Sequence, residues 1–342
     1  MTLSQSTKSV FITGATGFIG SHIARWYLAE GYTVSALYRP ASGYGLLADV
    51  AERINWQEGD VLDIPSLEIA ITPNTDVIHA AAVVSFFPKD RNRMERINVE
   101  GTANVVNVCL KAGVRKLGYV SSVAAIGRPV DKTGKPDKPM VLDEEQKWEE
   151  SPNNSGYAIT KYQAELEVWR GVTEGLNAVM ISPSVVLGVG DWSRSSLQLI
   201  KYVYDEKPFY PAGLVNYVDV LDVADVLARL MQSDITAERY ILNGGTIPYR
   251  SLLEQIAGAL KKRPPGIRVA PALTRLLWPF EAIRAWVTGK NPLITRETAR
   301  SSGALYAYDG HRIEQVLDFQ YRPLSDTLGR VSDAFGRGKP GS

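Results

Sequence analysis

The stretch Val10-Phe11-Ile12-Thr13-Gly14-Ala15-Thr16-Gly17-Phe18-Ile19-Gly20 decides the fold. Its apolar opening reads as a short buried strand. A helical pattern then runs from Phe18 to Glu30 and is closed by Gly31. Between strand and helix stand Gly14, Gly17 and Gly20. The first permits a tight turn, the second lets backbone approach a pyrophosphate, and the third lets the helix pack close to the strand. The helix N-terminus would present free N–H groups and partial positive charge to the phosphates. A ligand-free glycine turn is the alternative, but strand, loop and helix in this order are the context a dinucleotide site requires. Gly14, Thr16, Gly17, Phe18, Ile19 and Gly20 are therefore candidate cofactor residues.

Working outward, strands are expected at Thr33–Tyr38, Ile54–Gln57, Asp76–His79, Lys116–Val120 and Ala178–Ile181. Helical patterns separate them, among them Arg91–Ala112 and Tyr157–Arg170. Such alternation predicts an α/β fold with a doubly wound parallel sheet. After Pro183 the pattern is mixed: helices over 195–205, 220–232 and 251–261, with strands near 215–218 and 240–242. The expected organisation is a dinucleotide-binding domain over residues 1–182, a smaller substrate-binding lobe mainly over 183–336 and interleaved with the first, and a disordered tail over 337–342. Gly127–Ser155, with Pro129, Pro136, Pro139 and Pro152, reads as a long surface loop facing the substrate.

Leu37-Tyr38-Arg39 ends the second strand where a dinucleotide site often carries an acid for the ribose 2′-OH. Arg39 can instead pair with a 2′-phosphate, which favours NADP over NAD. Asp60 and Val61 follow the third strand, either against adenine or as a simple turn. Ala80-Ala81-Ala82 follow the fourth and would let the cofactor lie across the strand ends, unless they only pack. Tyr157 and Lys161, four apart at a helix start, share one helix face. A lysine charge beside a phenol favours phenolate, which tunes tyrosine as an acid/base group. Ser121-Ser122 ends the fifth strand, where such sheets place their ligand crevice.

Together these residues resemble the short-chain dehydrogenase/reductase superfamily, in its extended branch of epimerases, dehydratases and dihydroflavonol-reductase-like enzymes. The resemblance spans about Val10 to Leu260 and rests on Thr13 to Gly20, His79-Ala80-Ala81, Asn98 to Thr102, Val120-Ser121-Ser122, Tyr157 to Lys161 and Ser182-Pro183-Ser184. It implies a Rossmann-type fold with Ser122, Tyr157 and Lys161 as catalytic residues, Tyr157 and Lys161 also touching the cofactor and Lys161 holding its ribose. Asn98 would support the active-site backbone, and Pro183, Ser184 and Val185 would contact the nicotinamide carboxamide. Asp219 stands where many members have histidine. The reaction implied is hydride transfer between a nicotinamide and a carbonyl or secondary alcohol, with Tyr157 as proton donor in the reducing direction.

Three readings follow. The first is an NADP-dependent oxidoreductase of ketones, aldehydes or secondary alcohols, including steroid- or flavonoid-like ones. An aromatic lobe (Trp192, Phe209, Tyr210, Tyr217, with Leu214) and Arg39 favour it. The second is an NAD-dependent nucleotide-sugar epimerase or dehydratase, weakened by Ser182 where such members carry arginine, though Arg194 and Lys201 remain to hold a diphosphate. The third is a non-catalytic, cofactor-binding redox sensor.

Composition adds exclusions. In 342 residues the net charge is +1, which gives no electrostatic case for nucleic acid as partner. The single cysteine, Cys109, reads as a packing residue, and an intrachain disulfide is impossible. A cytoplasmic homodimer without an integral membrane segment or a metal is expected. Ala272–Val287, broken at Pro279, is expected to be a lid, a subunit contact or a peripheral membrane contact.

Overall fold

The structure, a computed structural model, describes residues 8–130, 138–193, 195–269 and 305–336. The expectations for 272–287, for Arg194 and for the tail over 337–342 lie outside the described residues.

Seven parallel strands form the central sheet: β1 (Ser9–Thr13), β2 (Thr33–Tyr38), β3 (Ile54–Glu58), β4 (Asp76–His79), β5 (Lys116–Val120), β7 (Ala178–Pro183) and β11 (Glu238–Leu242). Their order is β11-β7-β5-β4-β1-β2-β3, so the winding reverses between β1 and β4. That reversal opens a crevice at the carboxyl ends of the two strands. Alternation along β1 feeds a core on each face of the sheet. Val10 and Ile12 pack with Ile23 and Ala24 of α1 (Phe18–Ala29) and with Val223 and Leu227 of α7 (Val220–Gln232). Phe11 packs on the opposite face with Val105 and Val106 of α4 (Gly101–Ala112) and Ala164 and Val168 of α5 (Gly156–Thr173). Cys109 belongs to this second core, and burial pushes its thiol pKa up to about 12.

The region expected to be one helix over 91–112 is interrupted. A short α3 (Arg91–Met94) passes into a π-helical turn, Glu95–Glu100, and then into α4. Widened turns of this kind recur at functional sites, and this one carries Asn98. The loop expected over 127–155 contains β6 (Met140–Leu142), which pairs in parallel with β14 (Tyr306–Tyr308). These strands pack with Val123 and Ile126, so a small core anchors the segment just after Ser122.

Beyond Pro183 the chain serves both halves, since β11 and α7 return to the central sheet. The separate part is built on β8 (Val185–Leu187), β10 (Leu214–Asp219) and β12 (Gly245–Pro248), ordered β12-β10-β8. Its core takes in Trp192, Ile200, Leu252 and Ile256 together with Leu324 and Leu328 of a C-terminal helix over residues 324–336. Asp219 explains the junction. Its Oδ1 accepts from Leu221 N at 2.7 Å and caps α7, while its Oδ2 is held by Thr327 and Arg330. The aspartate in place of a histidine is thus a buried strut between β10 and the C-terminal helix. Among the described residues, no helix is long and apolar enough to cross a membrane.

Candidate active site

Gly14 has φ +73°, and a Cβ there would lie 2.5 Å from Ala81 N. Two backbones therefore meet at the carboxyl ends of β1 and β4, and only glycine permits it. A Cβ on Gly20 would sit 2.2 Å from Gly14 O, so α1 starts directly against the turn. Gly17 precedes α1 without a side-chain cap. Gly14 thus meets Ala80 and Ala81 at the strand ends, while the Phe18 ring at the helix start packs against Gly188 and Gly190. The cradle that a Cβ would fill and the uncapped helix end are what a pyrophosphate needs. The chain therefore fits a dinucleotide.

Arg39 follows β2 and is largely exposed, with its guanidinium 3.8 Å from Asp60 Oδ2. Asp60 Oδ1 accepts from Leu62 N at 3.0 Å, so this residue also shapes the turn after β3. Val61 is buried, and a Cβ on Gly101 would meet it at 2.7 Å. Ser184 is buried at the start of β8, and its hydroxyl has no hydrogen-bond partner. The same holds for Ser121. Buried hydroxyls without partners are rare, and these two directly follow β5 and β7 at the carboxyl edge of the sheet.

Ser122 and Tyr157 meet. Burial pushes the Tyr157 phenol up to about 12, and a hydrogen bond with Ser122 works against that shift. The phenol is thus a protonated donor at neutral pH. One turn on, Lys161 is 2% exposed. Its Nζ donates to Tyr119 Oη at 2.6 Å and to Val120 O at 3.0 Å. Burial lowers its pKa to about 7, with the charge of Glu165 opposing. Glu165 is itself held by Arg239 at 3.0 Å and Ser182 at 3.3 Å.

Asn98 lies behind this pair. Its Oδ1 accepts from Val83 N at 2.7 Å, and its Nδ2 donates to Val83 O at 3.0 Å and Thr160 Oγ1 at 3.1 Å. It fixes the loop after β4 to the helix carrying Tyr157. Below it, His79 Nε2 meets Thr102 Oγ1 at 3.0 Å, and Nδ1 meets Thr13 Oγ1 at 2.6 Å. Burial lowers the His79 pKa to about 3, so the ring is a neutral strut.

The aromatic residues sort differently from expectation. Trp192 is core, stacked on Phe335 at 5.2 Å, and Phe209 is surface-exposed. Lys201 faces solvent and pairs with Asp205 at 3.0 Å. The ring beside Tyr157 is Phe86, edge-on at 6.1 Å and 42% exposed. Phe86-Phe87, an apolar pair inside a loop just after Ala80–Ala82, was the sequence signal for it. Arg128, directly after Gly127, is a second residue here that spacing alone does not single out.

The profile of the NAD dependent epimerase/dehydratase family matches residues 10–243. Cinnamoyl-CoA reductase 1 of Petunia hybrida is 31% identical over 251 residues, covering 70% of this chain and 73% of that one. Sterol demethylase protein B of Methylococcus capsulatus is 27% identical over 269 residues, covering 78% of each chain. The crystal structure of gox2253 superposes with a TM-score of 0.81 at 28% identity, covering 96% of this chain and 98% of that one. With the glycine cradle, the strand-end hydroxyls and the Tyr157–Lys161 helix in place, the chain belongs to the NAD-dependent epimerase/dehydratase family and is an NAD(P)-dependent oxidoreductase.

Proposed function

We propose that the protein is an NADP-dependent reductase of carbonyl compounds, with Tyr157 as proton donor. The observation that carries this reading is the hydrogen bond between Ser122 and a Tyr157 phenol held neutral by burial. NADPH, when bound, would supply the hydride. Arg39 holds its 2′-phosphate, and Gly14, Thr16, Gly17, Phe18, Ile19 and Gly20 hold its pyrophosphate. Asp60 and Val61 border the adenine, and Ala80 to Ala82 leave room across the strand ends. Pro183, Ser184 and Val185 receive the carboxamide, for which the Ser184 hydroxyl has a free hydrogen-bonding capacity.

In this reading the Ser122 and Tyr157 hydroxyls, which are hydrogen-bonded to each other, both donate to the substrate oxygen. Tyr157 gives its proton to that oxygen as charge develops on it. In its protonated form Lys161, one helical turn on, eases loss of that proton. Asn98 positions Tyr157 through Thr160, whose hydroxyl donates to Tyr157 O at 2.9 Å. Phe86 gives an apolar wall, which suits an aromatic or otherwise apolar group next to the carbonyl. In the same reading two copies pair in the cytoplasm through the outer faces of α4 and α5, where Leu166 is 46% exposed.

The test is NADPH oxidation with a panel of aromatic aldehydes and ketones, for the natural chain and Tyr157→Phe. Turnover should fall about 10²–10⁴-fold in the variant, with NADPH affinity within threefold. Unchanged turnover in Tyr157→Phe would overturn the assignment.

A further inference from the structure

Arg128 lies six residues after Ser122, in the loop that follows β5. Its backbone is pinned on both sides. Arg128 N donates to Asn154 Oδ1 at 2.8 Å, and Pro129 O accepts from Tyr306 Oη at 2.7 Å. Asn153 Nδ2 in turn donates to Tyr306 Oη at 3.1 Å. Three segments are thereby tied together: the loop after Ser122, the residues entering α5, and β14. The guanidinium carbon stands 5.8 Å from the centroid of the Tyr306 ring. Around it are the phenols of Tyr308, Tyr249 and Tyr306, which together outweigh burial and keep it charged.

Two observations point to a ligand. Among the described residues, Arg128 forms no ion pair with a carboxylate, although it is half-buried. Other half-buried arginines here are neutralised, as Arg239 is by Glu165 and Arg322 by Asp222. Second, Tyr308 is 4% exposed, its hydroxyl oxygen lies against the Arg128 guanidinium, and its own O–H has no acceptor among the described residues. A buried O–H donor beside a guanidinium that lacks a counter-charge is a ready-made pair of donors for one anion.

We infer that Arg128 and Tyr308 form a substrate-specificity site that receives an anionic group, carboxylate or phosphate, carried by the carbonyl substrate at a distance from its reacting carbon. The inference rests on the reductase reading for the word substrate, but the anion site itself does not need it. The guanidinium offers a fork of N–H donors matched to planar carboxylate or to phosphate, and Tyr308 adds a third donor. The Tyr306 ring, fixed through Pro129 and Asn153, holds the guanidinium by a cation–π contact and so keeps the fork aimed.

Two experiments separate this site from the reductase reading. In the first, melting temperature is read with benzoate, with phenyl phosphate and with neutral benzamide at constant ionic strength. The natural chain, Arg128→Met, Arg128→Lys and Tyr308→Phe are compared, with and without NADPH. Stabilisation by benzoate or phenyl phosphate, but not benzamide, is expected in the natural chain, with loss in Arg128→Met and partial retention in Arg128→Lys. The stronger of the two anions tells carboxylate from phosphate. In the second, NADPH oxidation is followed with 4-formylbenzoate and its methyl ester. The acid should be preferred in kcat/KM by about ten- to a hundredfold. In Arg128→Met that preference should vanish through a raised KM for the acid alone.

Equal response of the natural chain to benzoate, phenyl phosphate and benzamide would overturn the site, even if Arg128→Met fails to fold. So would an acid-to-ester ratio unchanged in Arg128→Lys and Arg128→Met. Anion stabilisation without turnover of either aldehyde would leave the anion site standing and count against the reductase reading.

Discussion

Lys161 Nζ donates to Tyr119 Oη at 2.6 Å, beneath the helix turn that carries Tyr157. The ammonium also lies 4.3 Å from the centroid of the Tyr119 ring. A buried phenol on β5 therefore holds the lysine in place from below, and the carbonyl of Val120 takes a second of its protons.

Lys161 should leave a signature in stability. Its pKa falls from 10.5 to about 7 through burial. Between those values the unfolded chain binds a proton that the folded chain does not, so stability rises with pH across roughly 7 to 10.5. The slope from this one group is at most about 1.4 kcal/mol per pH unit. Urea unfolding of the natural chain and Lys161→Met at pH 7 and pH 9.5 checks it. The variant should gain on the natural chain at pH 7 and lose that gain at pH 9.5. A difference independent of pH would show that Lys161 is not strongly perturbed.

Ser122→Ala removes the hydrogen bond that works against the rise in the Tyr157 pKa. Turnover should drop about ten- to a thousandfold, as for other lost donors at a developing oxyanion. In the alcohol-oxidising direction, where Tyr157 must first lose its proton, the acidic limb of kcat/KM should also move to higher pH. A drop in rate with an unmoved profile would mean that Ser122 touches substrate but not Tyr157.

The glycines of the first loop divide into two kinds. A Cβ at position 20 would stand 2.2 Å from Gly14 O, whereas at position 17 it would stand 3.2 Å from the same atom. Gly20→Ala should destabilise the fold by about 1–3 kcal/mol or more. Gly17→Ala should fold with a melting temperature within a few degrees of the natural chain but bind NADPH at least tenfold more weakly. Thermal melts and a fluorescence titration distinguish these outcomes, and equal loss of stability in both variants would refute the division.

Asn98 spans two segments with three hydrogen bonds. Asn98→Ala leaves part-buried backbone groups of Val83 without these partners, at up to about 1 kcal/mol each. Stability should fall, and kcat should fall more than KM rises, because the loop after β4 and the Tyr157 helix lose their tie. Asn98→Asp should restore one bond to Val83 N but repel Val83 O, with only partial recovery.

Much of this was legible in the chain itself. The run from Val10 to Gly20 dictates strand, turn and helix through local rules, and the structure returns them at the same residues. The spacing of Tyr157 and Lys161 likewise follows from one helical turn. What was not legible depends on distant partners. Met140–Leu142 and Tyr306–Tyr308 are three-residue strands far apart in sequence, and neither carries a local signal for the other. The aromatic content of the second lobe suggested a pocket, but Trp192 is core, because periodicity cannot tell which neighbour a buried ring meets. The π-helical turn at Glu95–Glu100 likewise has no sequence period of its own, and it reads as plain helix until Asn98 is seen bonded to Val83.

The most direct test of the central claim is a titration of the purified protein with NADPH and with NADH, for the natural chain and Arg39→Ser. Arg39 directly follows β2, with its guanidinium open to solvent on one side and Asp60 at 3.8 Å on the other. The account predicts NADPH binding at least tenfold tighter than NADH, with the difference lost in Arg39→Ser. Equal or tighter binding of NADH by the natural chain would contradict it and return the weight to an NAD-dependent epimerase or dehydratase.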